Sequence, residues 1–162
     1  MNRISDNILV VGLGSPIMSD DAVGLVVAQK IEEMKLDDVE TCQEAIGGLD
    51  IIPVLWGHRY AIIVDSIQTF QHDVGTVLLF NPEDFAPTIT SASAHDMNLA
   101  TAIKIGRDLE PEQMPESIRF VAIEVEDIQT VREGMTPAVE IAADAAVDAV
   151  LDLIYKFKAR SD

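Results

Sequence analysis

The chain lacks several features that mark common classes of protein. Cys42 is its single cysteine, so neither an intrachain disulfide nor a cluster of thiolate metal ligands can form. Lysine and arginine together number 11 against 28 aspartates and glutamates, and the formal net charge of −17 argues against nucleic acids and anionic membranes as partners. This charge suits a cation or a basic polypeptide, although it is equally explained by solubility alone.

Several sequence motifs are missing as well. There is no G-x-S-x-G elbow and no H-E-x-x-H helix, which excludes serine hydrolases and the commonest zinc peptidases. Gly12 and Gly14 begin a dinucleotide-binding pattern, but Ile17 replaces its third glycine and no P-loop lysine follows. Acidic residues at the next helix N-terminus would repel a phosphate, so nucleotide binding is a minor alternative.

The length fits one domain over residues 1–162. No apolar run reaches the roughly 18 residues of a membrane-spanning helix, and the first residues lack the layout of a secretory signal. With one cysteine, these features predict a cytoplasmic protein. Exposed apolar surface would allow a weak dimer, but nothing in the sequence demands more than a monomer.

Apolar segments and turn residues alternate as in α/β proteins. The predicted strands are 8–11, 39–45, 60–64, 75–80 and 118–125, and the predicted helices are 20–34, 49–56, 94–109 and one from 137 onward. The fourth strand is expected to be antiparallel, because no helix-length segment separates it from the third. The pattern predicts a three-layer α/β sandwich, in which helices cover both faces of a mainly parallel, twisted sheet of about five strands.

Local signals predict where helices begin. Ser19 is the expected cap of the first helix, and Ser93 and Asp96 form an S-x-x-D capping box for the third. Pro137 opens the last helix. The predicted inner stripe of that helix is Ile141, Ala142, Ala145, Ala146, Ala149, Val150, Leu153, Ile154 and Phe157.

Three segments carry possible metal ligands. Asp20 and Asp21 lie in the first turn of a helix, where acids also complement the helix dipole. Asp65 directly follows a buried strand, and His95 lies just inside a capped helix, where its imidazole is expected to stay neutral. Because such places can face one crevice of an open sheet, two carboxylates and one imidazole would form a site with open positions for water or substrate.

Other polar residues receive ordinary interpretations. Glu124, Glu126 and Asp127 are expected to form a solvated strand end, and His58 and His72 to lie in surface turns. Cys42 would need a nearby base to act as a nucleophile, and its neighbours predict burial.

Together the motifs resemble the [NiFe]-hydrogenase maturation endopeptidases, over nearly the whole chain from Ile8 to about Ile154. The residues that carry the resemblance are Gly12 and Gly14, then Asp20, Asp21, Ala22 and Gly24, then Val64, Asp65 and Ser66, then Ala94, His95, Asp96 and Met97. The segments around His95 and around residues 122–127 are similar to the branch that accompanies coenzyme F420-reducing hydrogenases.

The resemblance implies a cytoplasmic protease that removes the C-terminal extension of a hydrogenase large-subunit precursor after nickel insertion. It also implies that Asp21, Asp65 and His95 engage nickel carried by that precursor. Ser15 and Pro16 depart from the family's usual Gly-Asn loop, and Glu44 falls in a stretch that the family makes glycine-rich. The alternative is a non-catalytic, chaperone-like module that binds the metal or the precursor through the same crevice.

Overall fold

Five strands form one sheet in the order β2-β1-β3-β5-β4 in this computed structural model. The strands are β1 (Ser5–Leu13), β2 (Val39–Glu44), β3 (His58–Ile67), β4 (Val77–Phe80) and β5 (Ser117–Glu124). Strands β2, β1, β3 and β5 are parallel to one another, and β4 pairs antiparallel with β5 at one edge of the sheet. The predicted mainly parallel sheet with an antiparallel fourth strand is therefore confirmed.

The structure describes residues 4–85 and 94–161, without the side chains of residues 85 and 94–98. The helices are α1 (Val23–Glu33), α2 (Ile51–Leu55), α3 (Ala94–Leu109) and α4 (Pro137–Ser161), and single 3-10 turns precede α1 and α2. Ser93 and residues 86–92 of the predicted loop lie outside the described residues, so the capping box stays a prediction. Within the described part, no helix is both long enough and apolar enough to span a membrane.

The helices cover both faces of the sheet, as predicted. On one face α1 and α4 pack over alternate strand residues such as Val10, Ile62 and Val121. On the other face α2 and α3 pack over the intervening residues, such as Val11, Ile63 and Phe120. Burial of both faces explains why the central strands read as continuous apolar runs rather than alternating ones.

One part of the α4 prediction is wrong. Ile141 is 75% exposed and Ala145 is also exposed, whereas the sequence pattern predicts that both lie on the inner stripe. The residues of α4 that are buried are Val139, Ala142, Ala143, Ala146, Val147, Val150, Leu153, Ile154 and Phe157. The true stripe is rotated toward Val139 and Val147 because α4 packs against α1 and the sheet together, a geometry that the alanine-rich sequence does not encode.

Close contact between β1 and α1 explains the glycine pattern at the start of the chain. A Cβ atom on Gly12 would lie 2.2 Å from the carbonyl oxygen of Gly24, and one on Gly24 would lie 2.5 Å from that of Val64. These glycines let the helix backbone lie directly on the strands. They therefore have a packing role, and no nucleotide is needed to account for them.

The connection from α3 to β5 fixes the direction of α3. Gly57, immediately before β3, donates its backbone N–H to the carbonyl oxygen of Gln113, and the N–H of Glu116 donates to that of Arg59. The C-terminal end of α3 therefore lies at the amino edge of the sheet, where the parallel strands begin. Sixteen helical residues span about 24 Å, so α3 begins toward the carboxyl edge, where these strands end.

Candidate active site

Asp21 and Asp65 are held together by Ser66 at the carboxyl edge of the sheet. The Ser66 hydroxyl donates to Oδ1 of Asp21 at 2.8 Å, and the Ser66 N–H donates to Oδ1 of Asp65 at 2.8 Å. Asp65 is only 5% exposed, while Asp21 is partly exposed. Two carboxylates that are 44 residues apart in sequence thus both accept a hydrogen bond from one serine, a role that the Val64-Asp65-Ser66 motif alone does not predict.

His95 is the second residue of α3, and this helix begins toward the same edge of the sheet. Its side chain is outside the described residues, so its distance from the two carboxylates stays a prediction. Among the side chains that are described, no group of three histidines, cysteines or acids is arranged to hold a metal ion. The structure thus brings Asp21 and Asp65 together, and His95 remains their predicted third member.

Asp20 has a role that differs from the predicted complement of a helix dipole. It is fully buried, and its Oδ2 accepts hydrogen bonds from the N–H groups of Glu126 and Asp127 at 3.0 and 2.9 Å. Its Oδ1 accepts the N–H of Thr136 at 2.6 Å, and the Thr136 hydroxyl also donates to the carboxylate. Asp20 therefore fastens the loop that follows β5 against the segment carrying Asp21.

Ser19 does not cap α1, contrary to prediction. No side chain caps the 3-10 turn Ser19–Ala22 or α1 itself. Ser19 instead has a φ of +49° and is fully buried, with its N–H donating to the carbonyl oxygen of Arg132 and its Oγ accepting from the guanidinium. A non-glycine residue in this left-handed region is strained, and these contacts with Arg132 hold it there.

The loop after β5 is also ordered by its own residues. Oδ1 of Asp127 accepts the N–H groups of Gln129 and Thr130 at 3.0 and 2.9 Å. Hydrogen bonds from Thr130, followed by that from Gln129, lower the pKa of the Asp127 carboxyl below its ordinary value. The loop therefore holds the negative charge of Asp127 in a fixed position beside the segment that carries Asp20 and Asp21.

Glu124 is not part of a solvated strand end, so that prediction is wrong. Its side chain is 1% exposed, and it accepts hydrogen bonds from the N–H of Thr69 at 2.8 Å and from the Thr69 hydroxyl. A buried carboxylate of this kind needs such donors to offset its lost hydration. Glu124 thereby fixes the loop after β3, immediately downstream of Asp65 and Ser66.

The loop after β1 lies against the end of β2. Gly14 has a φ of +151°, and a Cβ atom there would lie 1.9 Å from the carbonyl oxygen of Asp21. Its N–H donates to the carbonyl oxygen of Glu44, and the N–H of Ser15 donates to that of Asp21. Glu44 therefore borders this loop through its backbone.

Cys42 and His58 do not belong to this site. Burial, followed by repulsion from Glu44 and Glu40, raises the pKa of the Cys42 thiol to about 11, so the thiolate is scarce at neutral pH. His58 does not lie in a surface turn, because it begins β3 at the opposite, amino edge. Its Nε2 lies 2.7 Å from Oε2 of Glu40.

The arrangement can bind a cation or polarise a substrate. Two carboxylates on a rigid strand end and on an anchored turn supply hard oxygen ligands, and either oxygen pair can accept a proton from water. Thr136 and Thr69 were missed as supports of the site. A threonine directly before Pro137 and another four residues after Asp65 carry no pattern that would distinguish them from loop residues.

Comparisons with known proteins agree with this architecture. The chain is 25% identical over 147 residues to the hydrogenase 2 maturation protease of Escherichia coli K12, an alignment that covers 89% of this chain and 88% of that protein. The hydrogenase maturating endopeptidase HybD from E. coli matches with a TM-score of 0.76 and 23% identity over 93% of both chains. HybD from Thermococcus kodakarensis matches with a TM-score of 0.72 and 22% identity, covering 91% of this chain and 98% of that one.

At these identities the two solved structures show the shared fold alone. The family itself is shown by the sequence model of the HycI hydrogenase maturation proteases, which matches residues 26–153. This match includes the positions of Asp65 and His95 and begins five residues after Asp21. Because it spans well over half of the sequence, the chain belongs to the hydrogenase maturation protease family.

Proposed function

We propose that this protein is an endopeptidase that removes the C-terminal extension from a [NiFe]-hydrogenase large-subunit precursor after nickel insertion. In this proposal Asp21, Asp65 and His95 engage nickel that is already carried by the precursor. The metal is then part of the substrate, and its presence licenses the cut. Membership of the maturation protease family supports the reaction class and the kind of partner.

The observation that carries the proposal is the pair of hydrogen bonds made by Ser66. They link the carboxylates of Asp21 and Asp65 through one residue at the carboxyl edge, which is where open α/β sheets bind their ligands. Both carboxylates are also positioned from behind, by the buried bonds of Asp20 and by those of Glu124. Such support favours a site that must hold its geometry while a large partner docks.

The chemistry follows from these residues. An ion held between the carboxylates and the scissile bond would polarise the carbonyl and lower the pKa of a water. One carboxylate of the pair would then accept the proton of that water as it attacks. Ser66 donates to one oxygen of each acid and so links the two carboxylates through a single residue.

The alternative, a non-catalytic module that only binds the precursor, has the same geometry and a different product. It predicts a complex in which the mass of the precursor is unchanged. Nothing in the described residues favours it over the endopeptidase, and the names of the relatives favour the endopeptidase.

The experiment is a cleavage assay on purified precursor, loaded with nickel or free of it, with mass spectrometry of the product. We expect one new C-terminus in the loaded precursor and an intact mass in the unloaded one. Equal cleavage of both forms would refute the licensing role of nickel, and an unchanged mass with tight binding would favour the non-catalytic module.

A further inference from the structure

A cavity at the edge of the sheet opposite the carboxylates is lined by three arginines from three different elements. It has a volume of about 330 Å³ and lies where β4 ends and β5 begins, at the amino edge of the sheet. Arg107 comes from α3, Arg119 from β5 and Arg160 from α4. This convergence is notable in a chain with a net charge of −17, in which acids outnumber bases by more than two to one.

The two acidic residues in the wall of this cavity already have partners. Arg107 donates to Oε1 of Glu83 at 3.1 Å, and Glu116 is bound by Arg59, which does not line the cavity, also at 3.1 Å. Within residues 4–85 and 94–161, no salt bridge involves Arg119 or Arg160. Arg119 and Arg160 therefore have no carboxylate partner among the described residues, although both line the cavity.

The hydrogen-bonding of these two guanidinium groups is incomplete. Nε of Arg119 is buried and makes no hydrogen bond in the described structure. Arg160 makes one long bond of 3.4 Å to the Ser117 hydroxyl and otherwise lies over the ring of Phe157. Because a charged donor that is buried without an acceptor is costly, an anion in the cavity that accepts from Nε of Arg119 would explain why this nitrogen is buried. The guanidinium of Arg160 is exposed to solvent and is available to the same anion.

We infer that this cavity binds a phosphate group, either as free phosphate or as the phosphate of a small ester. Two uncompensated guanidinium groups match the charge of a dianion better than that of a single carboxylate. Their forked donors fit the oxygens of a tetrahedral anion in pairs. The cavity volume exceeds that of the anion alone, which leaves room for a small organic group.

The position of the site separates it from the proposed proteolysis. Ser117 and Arg119 lie at the first residues of β5, whereas Asp65 and Glu124 lie where β3 and β5 end. The overall negative charge repels anions from most of the protein surface. Saturable binding of an anion would therefore indicate a specific, locally positive site such as this cavity. Ligand binding here can be measured without the precursor, independently of whether the cleavage proposal holds.

The test is titration of the full chain with inorganic phosphate and with phenyl phosphate, followed by calorimetry and by the thermal unfolding midpoint. Sodium chloride at equal ionic strength is the reference. We expect saturable binding and a higher unfolding midpoint with phosphate but not with chloride. Tighter binding of phenyl phosphate would identify an ester as the ligand, and equal or weaker binding would identify free phosphate.

Two variants and one control locate the effect. Arg119→Gln and Arg160→Gln should each weaken phosphate binding at least tenfold, because each removes a charged donor. Lys156→Gln makes the same change of charge one turn earlier on α4, at an exposed residue that does not line the cavity, and should bind like the wild type. Arg160 is exposed, so its variant remains informative if Arg119→Gln fails to fold.

The inference would be overturned if phosphate neither bound to the wild type nor raised its unfolding midpoint more than chloride does. It would equally be overturned by Arg160→Gln binding phosphate as tightly as Lys156→Gln does.

Discussion

The two edges of the sheet differ in how their charged side chains are buried and paired. Among the described residues, four polar or charged side chains are buried, and all four lie at the carboxyl edge. They are Ser19, Asp20, Asp65 and Glu124. At the amino edge, the acids form solvent-exposed pairs with basic side chains, such as Glu40 with His58 and both Asp6 and Glu116 with Arg59. The acids of the first edge accept hydrogen bonds mainly from backbone N–H groups, whereas those of the second meet charged or polar side chains.

The difference shows which edge is built for precise geometry. Burying a carboxylate costs several kcal/mol unless fixed donors replace its water, so each buried acid forces its surrounding loops into one arrangement. Exposed pairs are worth about 0–1 kcal/mol and constrain little. The fold thus concentrates its costly polar contacts around Asp21 and Asp65, where a reaction would need them.

The largest expected effect concerns activity at the carboxyl edge. Asp21→Asn, Asp65→Asn and His95→Ala should each slow cleavage of the nickel-loaded precursor by about 100-fold or more, because each removes a proposed ligand or base. Cleavage is followed by mass spectrometry, and circular dichroism checks the fold. The control is Asp148→Asn on the exposed side of α4, which should cleave normally. Wild-type rates in any of the three site variants would remove that residue from the site.

The next largest effect concerns stability at the same edge. Asp20→Ala should lower the free energy of unfolding by about 3–5 kcal/mol, because it removes a fully buried carboxylate that accepts three backbone N–H groups and the Thr136 hydroxyl. Thr136→Val removes only the hydroxyl bond and should cost about 1 kcal/mol. Urea unfolding measures both. A loss below about 1 kcal/mol for Asp20→Ala would mean that the loop does not depend on this carboxylate.

A smaller effect is expected where α1 lies on the strands. Gly24→Ala places a methyl group 2.3 Å from the carbonyl oxygen of Leu13, so the backbone has to shift, at a cost of about 1–3 kcal/mol. Gly106→Ala is the matched control in α3, because its new methyl meets mainly the flexible end of Met114 at 3.0 Å. Alanine favours a helix over glycine by up to about 1 kcal/mol, so this variant should be neutral or more stable. Equal losses in both would contradict the packing role of Gly24.

The smallest effect is expected at the amino edge. A hydrogen bond from His58, followed by one from Asn7, lowers the pKa of the Glu40 carboxyl below its ordinary 4.5. Because the folded pKa is the lower one, this stabilisation is present above about pH 4.5 and is lost as the pH falls through the lowered value. Glu40→Gln should cost less than about 1 kcal/mol near neutral pH and should reduce the acid dependence of unfolding. A loss as large as that of Asp20→Ala would erase the contrast between the two edges.

Much of the fold could be predicted because its signals are local. The run of residues 60–64 predicts a strand buried on both faces, and the short gap before residue 75 predicts that the next strand is antiparallel. Both are confirmed. The bounds of α3 match the predicted 94–109, and Pro137 opens α4 as expected. The buried face of α4 is more difficult to predict, because many of its small residues fit either face. The predicted stripe is wrong at Ile141, which is exposed.

The sequence by itself determined the order of strands and helices, the glycines that allow α1 to lie on β1, and the position of Asp65 directly after a buried strand. Only the tertiary structure decided which of two adjacent acids is buried. Asp20 binds Glu126, Asp127 and Thr136, which are more than 100 residues away, while Asp21 faces Ser66. Spacing and periodicity report on neighbours along the chain, whereas these bonds depend on loops that only the folded sheet brings together.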